Sequence, residues 1–197
     1  MKLLLTTVLL SMVTNVGFAV QADWMSQIPD KESLAAINIP GTHNSGATRE
    51  PILGTAKCQS MSLRKQLESG TRFFDIRCRH SKDRFEIYHG LVSQNLNFTE
   101  VLETFQTHLK NHPSETIIIS IKQEYKPTQN SQSFTQTLQH YLDQAKSIWY
   151  LKESIPSLGT VRGKIVLLRR FESREPLGIP ATDWKSNGFH KAEKIFI

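Results

Sequence analysis

The chain has 197 residues, enough for one sizeable hydrophobic core, and a formal net charge of +6 from 24 Lys and Arg against 18 Asp and Glu. That balance favours anionic surfaces or substrates, but the charge is spread along the sequence, and no stretch interleaves basic and aromatic residues as an RNA-binding surface would. The two cysteines, Cys58 and Cys78, lack the C-x-x-C spacing of a zinc site.

Residues 1–22 set one lysine before an apolar run from Leu3 to Val13, followed by the small residues Gly17, Ala19 and Ala22. This is the layout of a secretory signal peptide cleaved after Ala19 or Ala22, and the run is too short to span a bilayer. Residues 23–197 are then one exported, soluble domain. Export permits a single disulfide, which the spacing of the two cysteines neither requires nor forbids. Neither thiol reads as catalytic.

Along the mature chain, "SLAAINIPG" reads as a first short strand, "SLRKQLESG" as a helix stopped by Gly70, and "TRFFDIR" and "RFEIYHG" as strands. "NFTEVLETFQTHLKNHP" places Val101, Leu102, Phe105 and Leu109 at helical spacing between an Asn/Thr cap and Pro113. "ETIIISIKQEY" and "GKIVLLRRF" suit strands buried on both faces, and "SFTQTLQHYLDQA" is helical. Strands alternating with helices predict an α/β fold with parallel pairing, doubly wound or barrel-like.

The strand ends carry the chemistry. His43 follows the first strand, Asp75 and Arg77 close the second, His89 the third, Lys122 and Glu124 the fourth, and Arg170 the fifth. In parallel α/β folds these ends gather at one face. Lys122 and Arg170, taken singly, fit surface roles; five successive charged or imidazole-bearing strand ends fit a pocket. Two histidines supply a general base and a general acid near neutral pH, and Arg77 offers a guanidinium fork to a phosphate. The set suits phosphodiester cleavage by an internal hydroxyl, without metal or covalent intermediate.

"IPGTHNSGA", "GTRFFDIRCR", "IYHG", "HPSETIIISIKQEY" and "GKIVLLRRF" resemble, in order and spacing, the catalytic X domain of bacterial phosphatidylinositol-specific phospholipases C, from about Ile37 to Trp184. The resemblance implies a distorted TIM-type (β/α) barrel. It also implies cleavage of phosphatidylinositol to diacylglycerol and inositol 1,2-cyclic phosphate. By it, His43 is the general base, His89 the general acid, Arg77 the phosphate ligand and Asp75 an ordering group. Lys122 and Arg170 match positions that bind inositol hydroxyls, with Glu124 a weaker candidate beside them. Arg77 stands where calcium-dependent relatives carry an acidic ligand, so the likeness is to the metal-independent branch, with no cofactor. The implied partner is phosphatidylinositol in membranes, met peripherally by a monomer, with no nucleic acid. Trp24 and Met25 are candidates for membrane contact or for capping the barrel.

The sequence departs from the family in two ways. Bacterial members have Asp after the first histidine where this chain has Asn44, and an amide orients a ring without stabilising imidazolium as a carboxylate does. A complete barrel needs about 250 residues. The continuation that would carry further strands, an Asp-Tyr pair on inositol and a late Asp behind the general base has no counterpart, so residues 23–197 read as the N-terminal part of the barrel. An open barrel is expected to leave "TIIISI" and "KIVLL" partly exposed and both histidines short of partners. Two other readings follow: an inactive remnant or phosphoinositide headgroup-binding protein, and an RNA phosphodiesterase.

Overall fold

The computed structural model describes residues 22–184 apart from 52, 53 and 55; the expected signal peptide, all but Ala22, and the tail after Trp184 lie outside the described residues. Eight strands form one mixed sheet: β1 (Gly41–Thr42), β2 (Phe73–Ser81), β3 (Arg84–His89), β4 (Val92–Asn97), β5 (Ile117–Gln123), β6 (Trp149–Tyr150), β7 (Ile165–Arg169) and β8 (Ile179–Pro180). Their order is β4-β3-β2-β5-β7-β6, with β1 added to β2 and β8 to β7. Helices α1 (Leu63–Glu68), α2 (Phe98–Asn111), α3 (Phe134–Gln144) and α4 (Leu158–Val161) lie between them.

Two expected strands are corrected. "SLAAINIPG" is not extended throughout: Leu34–Ala36 is a 3-10 turn whose cap, Ser33 Oγ, accepts from Ala35 N. The strand begins only after Pro40, whose carbonyl takes the N–H groups of Arg72 and Phe73. β3 pairs antiparallel with β2, against the expected parallel arrangement. Lys82 and Asp83 both have positive φ, 53° and 55°, as a two-residue turn of the type that folds a hairpin demands. The Asp83 carboxylate anchors that turn by accepting from Ser131 N and Gln132 N. β4, unexpected from sequence, continues the hairpin and ends in Asn97, which caps α2 in a reciprocal box with Glu100.

The main core lies between one face of the sheet and the helices, where Phe74 packs on Phe105 and Phe85 on Phe98 and Phe134. Of "KIVLL" the residues Ile165 to Leu168 are buried and "TIIISI" is nearly so, contrary to expectation, because β6 and β8 cover the outer edge of β7. Under the strands' N-terminal ends, Met25, Leu34, Leu158 and Val161 form a second cluster. There Arg72 and Glu115, both fully buried, are 2.8 Å apart, and Met25 N donates to the other Glu115 oxygen. Met25 is fully buried and Trp24 Nε1 donates to Gly70 O, so this pair caps the sheet and is not a membrane contact.

Candidate active site

Strand register assembles the site at the opposite, C-terminal end of the sheet. The β1–β2 pairing Gly41↔Phe73, Thr42↔Phe74 carried one residue further sets His43 beside Asp75. Arg77 pairs with Lys122 across β2–β5, and the β5–β7 pairing Ile121↔Arg169 brings Lys122 level with Arg170. Because side chains alternate along strands, Asp75, Arg77, Lys122 and Arg170 share one face, while Phe74, Ile76 and Cys78 take the core face.

His43 is aimed by a tight turn. Asn44 adopts a positive φ of 44°, which asparagine tolerates better than most residues. Ser45 then locks the turn to β2: its N–H donates to Asp75 O at 2.9 Å and its Oγ accepts from Asp75 N at 2.8 Å. Gly46 lets this turn press on the hairpin, since a Cβ there would stand 2.8 Å from Ile87 Cγ2.

Asp75 is the hub. Its Oδ2 lies 3.3 Å from His43 Nδ1 and accepts from Asn44 N at 3.1 Å and Arg77 Nε at 3.2 Å, while its Oδ1 takes Arg170 at 3.4 Å. Arg77 also approaches Glu124 at 3.7 Å, and the other Glu124 oxygen accepts from Gly90 N at 2.8 Å. Glu124 thereby ties the end of the hairpin to the arginine. His89 Nδ1 donates to Ala56 O at 2.8 Å; a carbonyl only accepts, so Nδ1 carries a proton and Nε2 is the ring nitrogen not held by that bond. Arg170 lies over the Trp184 ring at 4.5 Å. A cavity of about 240 Å³ opens among His43, Phe73, Asp75, Arg77, Arg170 and Trp184. His89, Lys122 and Glu124 stand outside its lining. A larger groove of about 560 Å³ between α1 and α2 is far from these groups, and its glutamates repel a phosphate.

This geometry has known counterparts. Residues 34–171 match the family described as phosphatidylinositol-specific phospholipase C, X domain. The chain belongs to that family. It is 41% identical over 168 residues to a 1-phosphatidylinositol phosphodiesterase of Listeria monocytogenes, covering 79% of this chain and 51% of that protein. It is 34% identical over 157 residues to a protein of the same name from Staphylococcus aureus, covering 75% and 50%. Among solved structures, a phosphatidylinositol-specific phospholipase C from S. aureus superposes with a TM-score of 0.76 at 30% identity, over 82% of this chain and 56% of that one. The L. monocytogenes enzyme gives 0.70 at 37% identity, over 82% and 61%. The chain spans about half the length of the curated relatives it matches. The fold is thus that of the phospholipase TIM barrels, with the sheet unclosed among the described residues.

In this X domain the two histidines have partners, contrary to the sequence expectation. His43 finds Asp75, while the Asn44 amide turns to His43 Nε2 at 3.1 Å rather than to His89. With Nδ1 facing a carboxylate, the neutral ring keeps its proton there and its lone pair on Nε2. Partial burial, followed by the charge of Arg77, pushes His43 below its ordinary value, and Asp75 only partly offsets this. The ring is therefore an unprotonated base at neutral pH. Lys122 is likewise pushed down by burial and by Arg77 and Arg170. Burial also lowers Arg170, against the pull of Asp75. Three cationic side chains against two carboxylates give a site that favours an anion.

Three contributors are not foreseen from the sequence: the Ala56 carbonyl, Trp184 and Cys58. A backbone carbonyl carries no sequence signal. Trp184 ends the "GIPATDW" stretch, where an aromatic beside a strand end was the only clue. Cys58 is legible only as a disulfide candidate, and both cysteines are free thiols.

Proposed function

We propose that this X domain cleaves phosphatidylinositol to diacylglycerol and inositol 1,2-cyclic phosphate. The observation that carries the reading is the Asp75 hub, which places an unprotonated imidazole beside two guanidinium groups on one sheet face. His43 takes the proton of the inositol 2-hydroxyl on Nε2, displacing the Asn44 amide. The alkoxide attacks phosphorus while Arg77 neutralises the growing charge on the phosphoryl oxygens. His89 gives its Nε2 proton to the departing diacylglycerol oxygen. Lys122 and Arg170, with Glu124 holding Arg77, supply the contacts for inositol hydroxyls. Both pocket carboxylates are engaged by arginines, and no step calls on a metal.

The partner is a phosphatidylinositol-bearing membrane met from outside the cell by an exported monomer. Leu91 and Tyr125, both exposed, directly follow Gly90 and Glu124 and so place apolar surface beside the site. Purified protein is to be incubated with phosphatidylinositol vesicles and, separately, with RNA, and the cyclic phosphate of each sought. His43→Ala and His89→Ala are each expected to lower turnover by about 10²–10⁴-fold with unchanged circular dichroism. Either variant turning over like the parent refutes the two-histidine assignment. Inositol phosphate binding without turnover points instead to a headgroup-binding protein, a reading favoured by the Asn44 amide resting on His43 Nε2.

A further inference from the structure

The two thiols of this chain differ sharply. Cys78 is fully buried on the core face of β2, and burial pushes its thiol far above the usual range. Cys58 is exposed in the loop between β1 and α1, and its Sγ lies 3.7 Å from His89 Nδ1 and 3.6 Å from Asn44 Nδ2. The sulfur fills the gap in a chain of contacts that runs from His43 through Asn44 and Cys58 to His89. His89 Nδ1 already has the Ala56 carbonyl at 2.8 Å, so the sulfur is a second and looser neighbour and stays open to solvent. Asn44 is 2% exposed, yet its Oδ1 is buried and meets no donor among the described residues. The polar frame around the thiol is therefore one donor short.

We propose that Cys58 is a covalent control site: it exchanges with low-molecular-weight peptide disulfides, and the resulting cap disables His89. The inhibitory half of this rests on the reading of His89 as the general acid. One N–H group faces the sulfur, that of the Asn44 amide at 3.6 Å, and it stabilises the negative charge that develops there during attack, while the Nδ1–H of His89 stays on Ala56 O. The Cys58 sulfur bonds to one sulfur of the disulfide, the original S–S bond breaks, and the proton lost from Cys58 to solvent is regained by the departing thiol. Cys58 thiol plus one disulfide thus gives one mixed disulfide plus one free thiol. A peptide disulfide suits the frame, because its amide N–H groups offer Asn44 Oδ1 the missing donor once the side chain turns. The attached peptide fills the space against the His89 ring and parts it from Ala56.

The test treats the folded protein with oxidised glutathione and follows intact mass, peptide mapping and phosphatidylinositol turnover. One adduct is expected, on Cys58 and not on Cys78, with turnover reduced by about 100-fold, as for loss of a general acid. Dithiothreitol restores it. Cys58→Ser, measured against its own untreated turnover, is expected to be indifferent to the reagent. An adduct on Cys78, no adduct on Cys58, or full modification with turnover unchanged overturns the proposal. The exchange rate, read by mass alone, separates this proposal from the phosphodiesterase reading. Asn44→Ala should slow modification about tenfold, since it removes a donor worth roughly 1.4 kcal/mol in the attack. An unchanged rate in that variant refutes the site even in a protein that cleaves lipid. Slowed exchange in a protein without turnover upholds the thiol site and refutes only the phosphodiesterase reading.

Discussion

Replacing Asp75 by Asn tests the hub most directly, because the substitution keeps shape and removes charge. Each Asp75 oxygen accepts only from donors: Oδ2 from His43, Asn44 N and Arg77, and Oδ1 from Arg170. An amide must therefore turn its NH₂ toward a donor whichever way it faces. The less costly orientation keeps three contacts on the oxygen and sets NH₂ against Arg170, which loses its anchor, while His43 loses the charge that fixes its tautomer. Lost supporting contacts of this kind cost about 10–100-fold in activity, or roughly 1.4–2.7 kcal/mol in the transition state. The Asp75 charge also raises the affinity of His43 for its proton. Its removal moves the acid limb of the kcat/KM profile to lower pH even as the plateau falls. Cyclic phosphate release from phosphatidylinositol vesicles across about pH 4–8 measures both effects. A plateau within twofold of the parent, or an acid limb displaced upward, refutes the hub.

Glu115→Gln strands the Arg72 guanidinium in a fully buried position, and the expected cost is about 3–5 kcal/mol in urea unfolding; a midpoint equal to the parent's contradicts the claimed burial. Acid should destabilise the fold through His108, which burial and the nearby Arg72 hold down at about 3 against an ordinary 6.5. The unfolded chain takes up this proton below about 6.5 and the folded chain does not, so stability present above that value drains away as pH falls toward 3, by about 2 kcal/mol at pH 5. His108→Gln should flatten the decline in melting temperature between about pH 7 and 5, and an equally steep decline excludes His108 as its source. Gly46→Ala puts a Cβ 2.8 Å from Ile87 Cγ2, so thermal unfolding should show an overpacking loss of about 1–3 kcal/mol; a stability equal to the parent's would mean that the turn does not press on the hairpin.

The sequence exposes the parts of this site that depend on strand period and hides those that depend on where the chain doubles back. Asp75, Arg77, Lys122 and Arg170 sit at predictable places because β2, β5 and β7 are parallel, β2 alternating apolar and polar residues and β5 and β7 nearly continuous apolar runs, so counting by twos along each strand predicts their common face. His89 reaches the site by a different route from the one its sequence position suggests. It does not end a parallel strand; it ends a returning hairpin arm whose Ile87 lies opposite Cys78. The signal was local, in the positive-φ pair Lys82 and Asp83, but neither residue is the glycine or asparagine that advertises such a turn. Asn44 is plain in the sequence as a departure from the family, yet its partner is set by a φ of 44°, which aims it at the neighbouring ring. Glu115 lies within a recognised strand stretch, and only the fold brings it under Arg72 and Met25.

The segment that seals the N-terminal ends of the strands also bears on the order in which the protein folds. Its contacts close very long loops: Met25 N reaches Glu115 across 90 residues, and Arg162 reaches Met25 O across 137. Closing loops of that size costs roughly 4 kcal/mol in chain entropy before any contact is gained. The docking site does not exist until β5 and α4 have been placed, so the segment is expected to dock late in folding. Contacts made after the rate-limiting barrier govern how fast the native state is lost rather than how fast it is reached. On that expectation the seal at Met25 is a kinetic latch: loosening it should raise the unfolding rate more than it lowers the folding rate, which stopped-flow unfolding and refolding of Met25→Ala would measure.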